Sequence, residues 1–121
     1  MSTERTLEIS KHGDVTVITL GPDCENVDEE CLEGLREPLL DAANSAEPPT
    51  VILDLAKTQF FGSSFIEVLF RIWNRINTQE GKFGISGLSS YCREVLEVTH
   101  LDQLWGIFDS VEEAIAEFSK T

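Results

Sequence analysis

Two adjacent hydroxyls, Ser63 and Ser64, follow Gly62 and precede a long apolar run. Hydroxyls placed this way can act as a nucleophile or cap a helix. A hydrolase nucleophile calls for Gly-x-Ser-x-Gly on a strand-to-helix turn. Gly62-Ser63-Ser64-Phe65-Ile66 lacks the second glycine, and neither His12 nor His100 has an evident role in orienting a nucleophile. No catalytic residue is assigned, and the chain is read as a binding protein and not an enzyme. The capping chemistry fits better. Ser64-Phe65-Ile66-Glu67 has the spacing of a capping box, with Ser64 accepting the Glu67 amide and Glu67 reaching back. Such a cap is worth about 1 kcal/mol and would leave Ser63 the freer hydroxyl.

Metal and redox chemistry find little support. Cys24, Cys31 and Cys92 are odd in number and show no Cys-x-x-Cys spacing, which argues against a disulfide framework and structural zinc. The thiols are read as small packed hydrophobes. No Gly-x-x-x-x-Gly-Lys loop is present for a nucleotide, so no cofactor and no metal is expected.

Nine Lys and Arg against 22 Asp and Glu give a net charge of −13 over 121 residues. That charge repels a phosphate backbone and an anionic lipid surface, so neither nucleic acid nor membrane is expected as a partner. It would steer a basic protein inward, or simply keep the chain soluble. No apolar run approaches the roughly 20 residues that span a bilayer. The start, Met1-Ser2-Thr3-Glu4-Arg5, leads into alternating residues without a secretory core, so a cytoplasmic location is expected. The length suits one domain, residues 1–121.

The elements that must position the serines follow from periodicity. Val51-Ile52-Leu53-Asp54-Leu55 reads as a buried strand over 51–56. A helix runs from Ser63 or Ser64 to about Gln79, with Gly81 as its closing glycine. At about 100° per residue, Phe65, Val68, Leu69, Ile72 and Ile76 share its inner face, widened by Ile66 and Trp73. Ser63, Glu67, Phe70, Arg71 and Asn74 line the opposite face. Phe70 among them is either a partner's anchor or a ring covered by a neighbouring element.

The remaining chain supplies the frame. Residues 5–21 read as a hairpin turning at His12-Gly13-Asp14 and stopped by Gly21-Pro22-Asp23. A helix over 26–44 has Asn26 as N-cap with Glu29 as capping-box partner, and Cys31, Leu32, Leu35, Leu39 and Ala42 inward. Pro38 kinks it above Gly34 or splits it in two. Ser45–Thr50 is a loop, and Phe60 and Phe61 pack inward from the connection over 57–62. A strand over 82–88 turns Phe83 and Ile85 inward. Ser89 or Ser90 caps a third helix with Tyr91, Val95 and Leu96 inward, and Leu101 and Leu104 cover an edge. Trp105–Phe108 is a last strand, and Ser110 caps a terminal helix with Val111, Ala114, Ile115 and Phe118 apolar. The order ββαβαβαβα predicts an α/β fold with a mixed sheet of about five strands, an antiparallel hairpin at one edge and about four helices.

Several landmarks in this order resemble the anti-sigma factor antagonists, the free-standing STAS domains of bacteria. They are Val51-Ile52-Leu53-Asp54-Leu55, Phe61-Gly62-Ser63-Ser64, Gly81-Lys82, Leu88-Ser89, Arg93-Glu94-Val95-Leu96, Leu101-Asp102-Gln103-Leu104 and Phe108-Asp109-Ser110-Val111-Glu112-Glu113-Ala114. The resemblance spans nearly the whole chain. It implies a STAS-like fold and a protein partner, an anti-sigma factor that is a serine kinase. It also implies Ser63 as the phosphorylated hydroxyl, with Ser64 as the alternative, and loss of partner binding on phosphorylation. A serine at a helix N-terminus suits this, because the added −1.5 to −2 charges are tolerated there. The family's loop reads Asp-Ser-Ser/Thr-Gly, whereas Gly62 and Phe65 stand here in place of the Asp and Gly. Those departures favour, as second reading, a STAS interaction module that is not phosphorylated.

The expected partner surface therefore comprises Gly62, Ser63, Ser64, Glu67, Phe70, Arg71 and Asn74. By resemblance it includes the Asp23-Cys24-Glu25 loop. A receiver domain is the rival for the Asp54 strand. Receivers carry an acidic pair after the first strand and a lysine after the last, and this chain has His12-Gly13 and no lysine after Trp105–Ser110.

Overall fold

A computed structural model describes residues 7–21 and 25–119 of the chain. Alternating residues over 7–20 form an antiparallel hairpin, β1 (Leu7–His12) and β2 (Val15–Leu20), in register from Leu7 opposite Leu20 to His12 opposite Val15. Gly13 in the turn has φ +65°, which a glycine adopts without a Cβ penalty. Two short strands come next in the chain's own order, β3 (Asn26–Val27) and, later, β5 (Phe60–Phe61). They pair in parallel as a small separate sheet. The main sheet adds β4 (Thr50–Asp54), β6 (Lys82–Ser86) and β7 (Gly106–Phe108) in the order β1-β2-β4-β6-β7, parallel from β2 onward. The mixed five-stranded sheet with its hairpin edge is the expected architecture.

Four helices cover the sheet: α1 (Glu29–Asn44), α2 (Ser63–Thr78), α3 (Ser90–Val98) and α4 (Val111–Ser119). Val51, Leu53 and Ile85 face the large core that also holds Leu35, Leu69, Ile72 and Leu96. Ile52, Val15 and Val17 face a smaller core with Ala114 of α4. Helices on both faces explain why the consecutive β4 residues Val51, Ile52 and Leu53 are all buried, where a one-sided sheet would alternate.

The structure corrects the first helix. Asn26 is not an N-cap, because it lies in β3, where its backbone pairs with Phe60. Asp28 caps α1 instead, its carboxylate accepting the Cys31 N–H at 2.9 Å. The helix runs unbroken past Pro38, which sits with Gly34 on the exposed side. Ala43 completes the inner stripe, while Ala42 is half-buried.

Gly81 is also corrected. The left-handed residue after α2 is Glu80, at φ +60°, and the Gly81 N–H closes the helix on the Ile76 carbonyl at 2.9 Å. Gly81 is required by space: a Cβ there would fall 1.9 Å from the Pro49 carbonyl oxygen. Trp105 precedes β7 and is 2% exposed, Leu101 is buried, and Leu104 remains exposed. Ser110 caps α4 as expected, accepting the Glu113 N–H at 3.2 Å.

Candidate partner-binding surface around Ser63

The small sheet positions the serines. The Gln59 and Phe60 N–H groups both donate to the Glu25 carbonyl, at 2.7 and 3.1 Å, and the Gly62 N–H donates to the Val27 carbonyl at 3.2 Å. The loop before α2 is thereby laid along the start of α1. Gly62 is the N-cap residue, extended at φ −104°, and contributes no side-chain cap. Its Cβ position is open, so neither crowding nor backbone conformation demands glycine there.

The helix starts two residues earlier than a Ser64 cap requires, with Gly62 as its N-cap, so the expected box between Ser64 and Glu67 does not form. Ser64, half-buried, donates from Oγ to Glu29 Oε2 at 2.9 Å. Glu29, expected to partner Asn26, instead joins the first turn of α1 to that of α2. Ser63 is exposed at the first helical position. Phe65 is fully buried and packs on Phe61 with ring centroids 5.4 Å apart, so its bulk is kept away from the surface.

Glu67, Phe70, Arg71 and Asn74 lie on the exposed side of α2, as the helical wheel predicts. Both readings of Phe70 are partly met. It is 42% exposed, yet its ring meets Trp73 at 5.5 Å and Trp105 at 6.1 Å. Asp23 and Cys24 lie outside the described residues, and Glu25 beside them is exposed.

Two residues of this surface run against the sequence expectation. Phe60 and Tyr91, both expected inward, are exposed, and their rings meet edge to face at 5.3 Å. Phe61 and Cys92, their chain neighbours, are buried in their place. The pairing is held at Gln59, whose carbonyl accepts the Ser89 hydroxyl at 2.8 Å and the Cys92 thiol at 3.4 Å. Ser89 Oγ in turn accepts the Cys92 N–H at 3.2 Å and caps α3. The spacing of Cys92 and Leu96, four apart, was the available signal for this phase of α3. Burial pushes the Cys92 thiol above its ordinary 9.0, against the lowering effect of hydrogen bonds with Ser89 and the Phe61 backbone.

Asp54 is engaged locally. Its Oδ1 accepts the Ala56 N–H at 3.0 Å and its Oδ2 accepts the Thr19 hydroxyl at 3.4 Å, which fixes the turn after β4. Among the described residues no three His, Cys, Asp or Glu side chains gather as metal ligands, and no helix is long and apolar enough to cross a membrane.

The family model described as the STAS domain matches residues 6–114 of this chain. A curated relative, the anti-sigma-F factor antagonist RsfB of Mycobacterium tuberculosis, is 24% identical over 111 residues, 91% of this chain and 86% of RsfB. The structure of an anti-sigma-factor antagonist (STAS) domain protein from Planctomyces limnophilus superposes with a TM-score of 0.89 at 36% identity, over 94% of this chain and 98% of that one. The Bacillus cell fate determinant SpoIIAA in its phosphorylated form shares the fold at a TM-score of 0.68 and 20% identity, over 92% of this chain and 97% of that one.

Proposed function

Because the chain belongs to the STAS domain family, we propose that it is an anti-sigma factor antagonist. It binds an anti-sigma factor through the surface around Ser63 and so frees a sigma factor. Relatives described as anti-sigma factor antagonists, matched over most of their length, support this reading. The observation that carries it to a site is the exposed Ser63 hydroxyl at the N-terminus of α2, beside a Ser64 that is already hydrogen-bonded.

The partner in this proposal is a serine kinase. Ser63 Oγ takes the terminal phosphoryl group of ATP, ADP leaves, and the hydroxyl proton passes to the kinase. The helix N-terminus accommodates the new −1.5 to −2 charges, so the fold stays intact. A kinase acting on Ser63 presents the nucleotide's phosphates to that hydroxyl. A phosphate already there meets like charge and bulk, and the complex falls apart. Phe65 does not obstruct this approach, because it is buried.

Gly62 favours a second reading. The loop lacks the carboxylate beside the acceptor, and an unreactive Ser63 would leave the chain a constitutive interaction module. Intact mass with site mapping decides between them, after incubation with ATP and the serine kinase encoded nearest to this chain. One phosphoryl group on Ser63, with loss of binding, identifies the switched antagonist. Tight binding without phosphorylation identifies the constitutive module, and neither binding nor phosphorylation overturns both.

A further inference from the structure

Phe60, three residues before Ser63 in the chain, forms an exposed aromatic pair with Tyr91, with half of each residue open to solvent (50% and 49%). The pair is rigidly mounted on two elements. Phe60 is fixed by its β3–β5 ladder, and the start of α3 is tied to Gln59 by the Ser89 and Cys92 bonds. Neither ring is needed to fill the large core, which takes Phe61 and Cys92. Rings held in place on a surface cost little entropy when a partner covers them.

The charges around the pair select its occupant. The elements that carry and flank it bring the exposed carboxylates Glu25, Asp28, Glu29, Glu30, Glu67 and Glu94. The cations on the same segments are Arg36, Lys57, Arg71, Arg75 and Arg93. Arg36, Arg71 and Arg75 lie further along α1 and α2 than Glu29, Glu30 and Glu67, and Arg93 is paired with Asp109 at 2.9 Å. Aromatic faces in a negative field attract a cation. A guanidinium stacks on rings and gives up its hydration more readily than an ammonium. A second copy of this chain would bring the same −13 charge to the contact, and an anionic bilayer would be repelled.

We infer that Phe60 and Tyr91 are the receptor for an arginine side chain presented by the partner protein. This rests on reading the Ser63 surface as a partner site, and it adds an anchor that the serine and the α2 face do not provide.

The test has two arms. In the first, the isotope-labelled full chain is titrated with acetyl-Gly-Arg-Gly-amide and, separately, acetyl-Gly-Lys-Gly-amide, following backbone amides by NMR. The expected shifts centre on Phe60 and Tyr91 and are about twofold or more larger for the arginine peptide. They vanish in Phe60→Ser and Tyr91→Ser and persist in Tyr91→Phe. Phe60→Leu and Tyr91→Leu, which keep apolar bulk without an aromatic face, replace any serine variant that fails to fold. Shifts scattered over the carboxylates and unchanged by ring removal overturn the inference. In the second arm, calorimetry measures binding of the same variants to the serine kinase. A loss of about tenfold or more in affinity on removing either ring supports the anchor. Equal affinity of wild type and ring variants overturns it. A kinase that ignores the wild-type chain, while the arginine peptide still moves Phe60 and Tyr91, overturns the anti-sigma reading and leaves the arginine receptor standing.

Discussion

Ser64 Oγ donates to Glu29 Oε2 at 2.9 Å, joining the first turn of α2 to the first turn of α1. The contact separates two neighbouring hydroxyls into different roles. Ser64 holds the helix starts together, and Ser63 stands free at the surface. It also places a carboxylate against the positive end of α2, where negative charge is favourable.

The two serines should therefore respond oppositely to added charge. Ser64→Asp sets a carboxylate against Glu29 and is expected to cost about 1–2 kcal/mol, from the lost hydrogen bond and like-charge repulsion. Ser63→Asp, exposed at the helix N-terminus, is expected to be neutral or stabilising by about 0.3–1 kcal/mol. Urea midpoints at fixed m-value measure both, and Glu29→Gln should remove most of the Ser64→Asp penalty. Equal stabilities for the two aspartate variants would sink the distinction.

Gly62 occupies an N-cap position with an open Cβ site and no side-chain cap. Gly62→Asp is expected to stabilise the chain by a few tenths of a kcal/mol, since Asp caps better than Gly. The same variant restores the acidic residue of the related loops. Faster phosphorylation of Ser63 in Gly62→Asp than in wild type, read by site-mapped mass, is the accompanying expectation.

The turn after α2 predicts opposite signs at adjacent positions. Glu80 holds a left-handed backbone, so Glu80→Gly should raise stability by about 1 kcal/mol. Gly81→Ala forces a Cβ into the Pro49 carbonyl and should lower it by about 2 kcal/mol or more. Thermal or denaturant unfolding of the two variants checks both, and a stable Gly81→Ala would mean that the Pro49 loop yields easily.

Cys92 makes a pH prediction. Its folded pKa is raised above the ordinary 9.0, so the folded state holds the proton more tightly than the unfolded chain. That contribution is fully present below pH 9 and is lost as pH rises through the folded value. Wild type should lose stability above pH 9 relative to Cys92→Ala, whose baseline carries only the cavity cost. The thiol should also resist a thiol reagent in the native protein at pH 8. Rapid native labelling of Cys92 would contradict this.

Phe70 tests the α2 face. Phe70→Asp should weaken kinase binding by about tenfold or more, as loss of an interface aromatic does. Because the ring also packs on Trp73 and Trp105, the variant should lose stability by about 1–2 kcal/mol and remain folded. Equal affinity by calorimetry would remove this face from the partner surface.

Local chemistry determined the five strands of the main sheet, the four helices and one whole helix face, but not the short strands β3 and β5. Phe65, Val68, Leu69, Ile72 and Ile76 are all at most 2% exposed, because helical periodicity is written into side-chain spacing. The β4 run and the Ser110 cap were legible for the same reason. Choices between neighbours were decided elsewhere. Asn26 and Asp28 offer the same capping chemistry, and β3 pairing with a strand over thirty positions away in the chain assigned the cap to Asp28. Phe60 and Phe61 are identical residues, and parallel pairing with Asn26 and Val27 set which one points inward. Gln59, reaching across to Ser89 and Cys92, fixed the phase of α3 and turned Tyr91 outward. Gly81 has the spacing of a cap glycine, but the left-handed turn falls on Glu80, and it is the Pro49 carbonyl, at the Gly81 Cβ position, that requires a glycine there. Hydrophobicity and propensity are properties of a residue and its near neighbours. The Ser64–Glu29 bond and the Phe60–Tyr91 pair are properties of segments that meet only after the chain has folded.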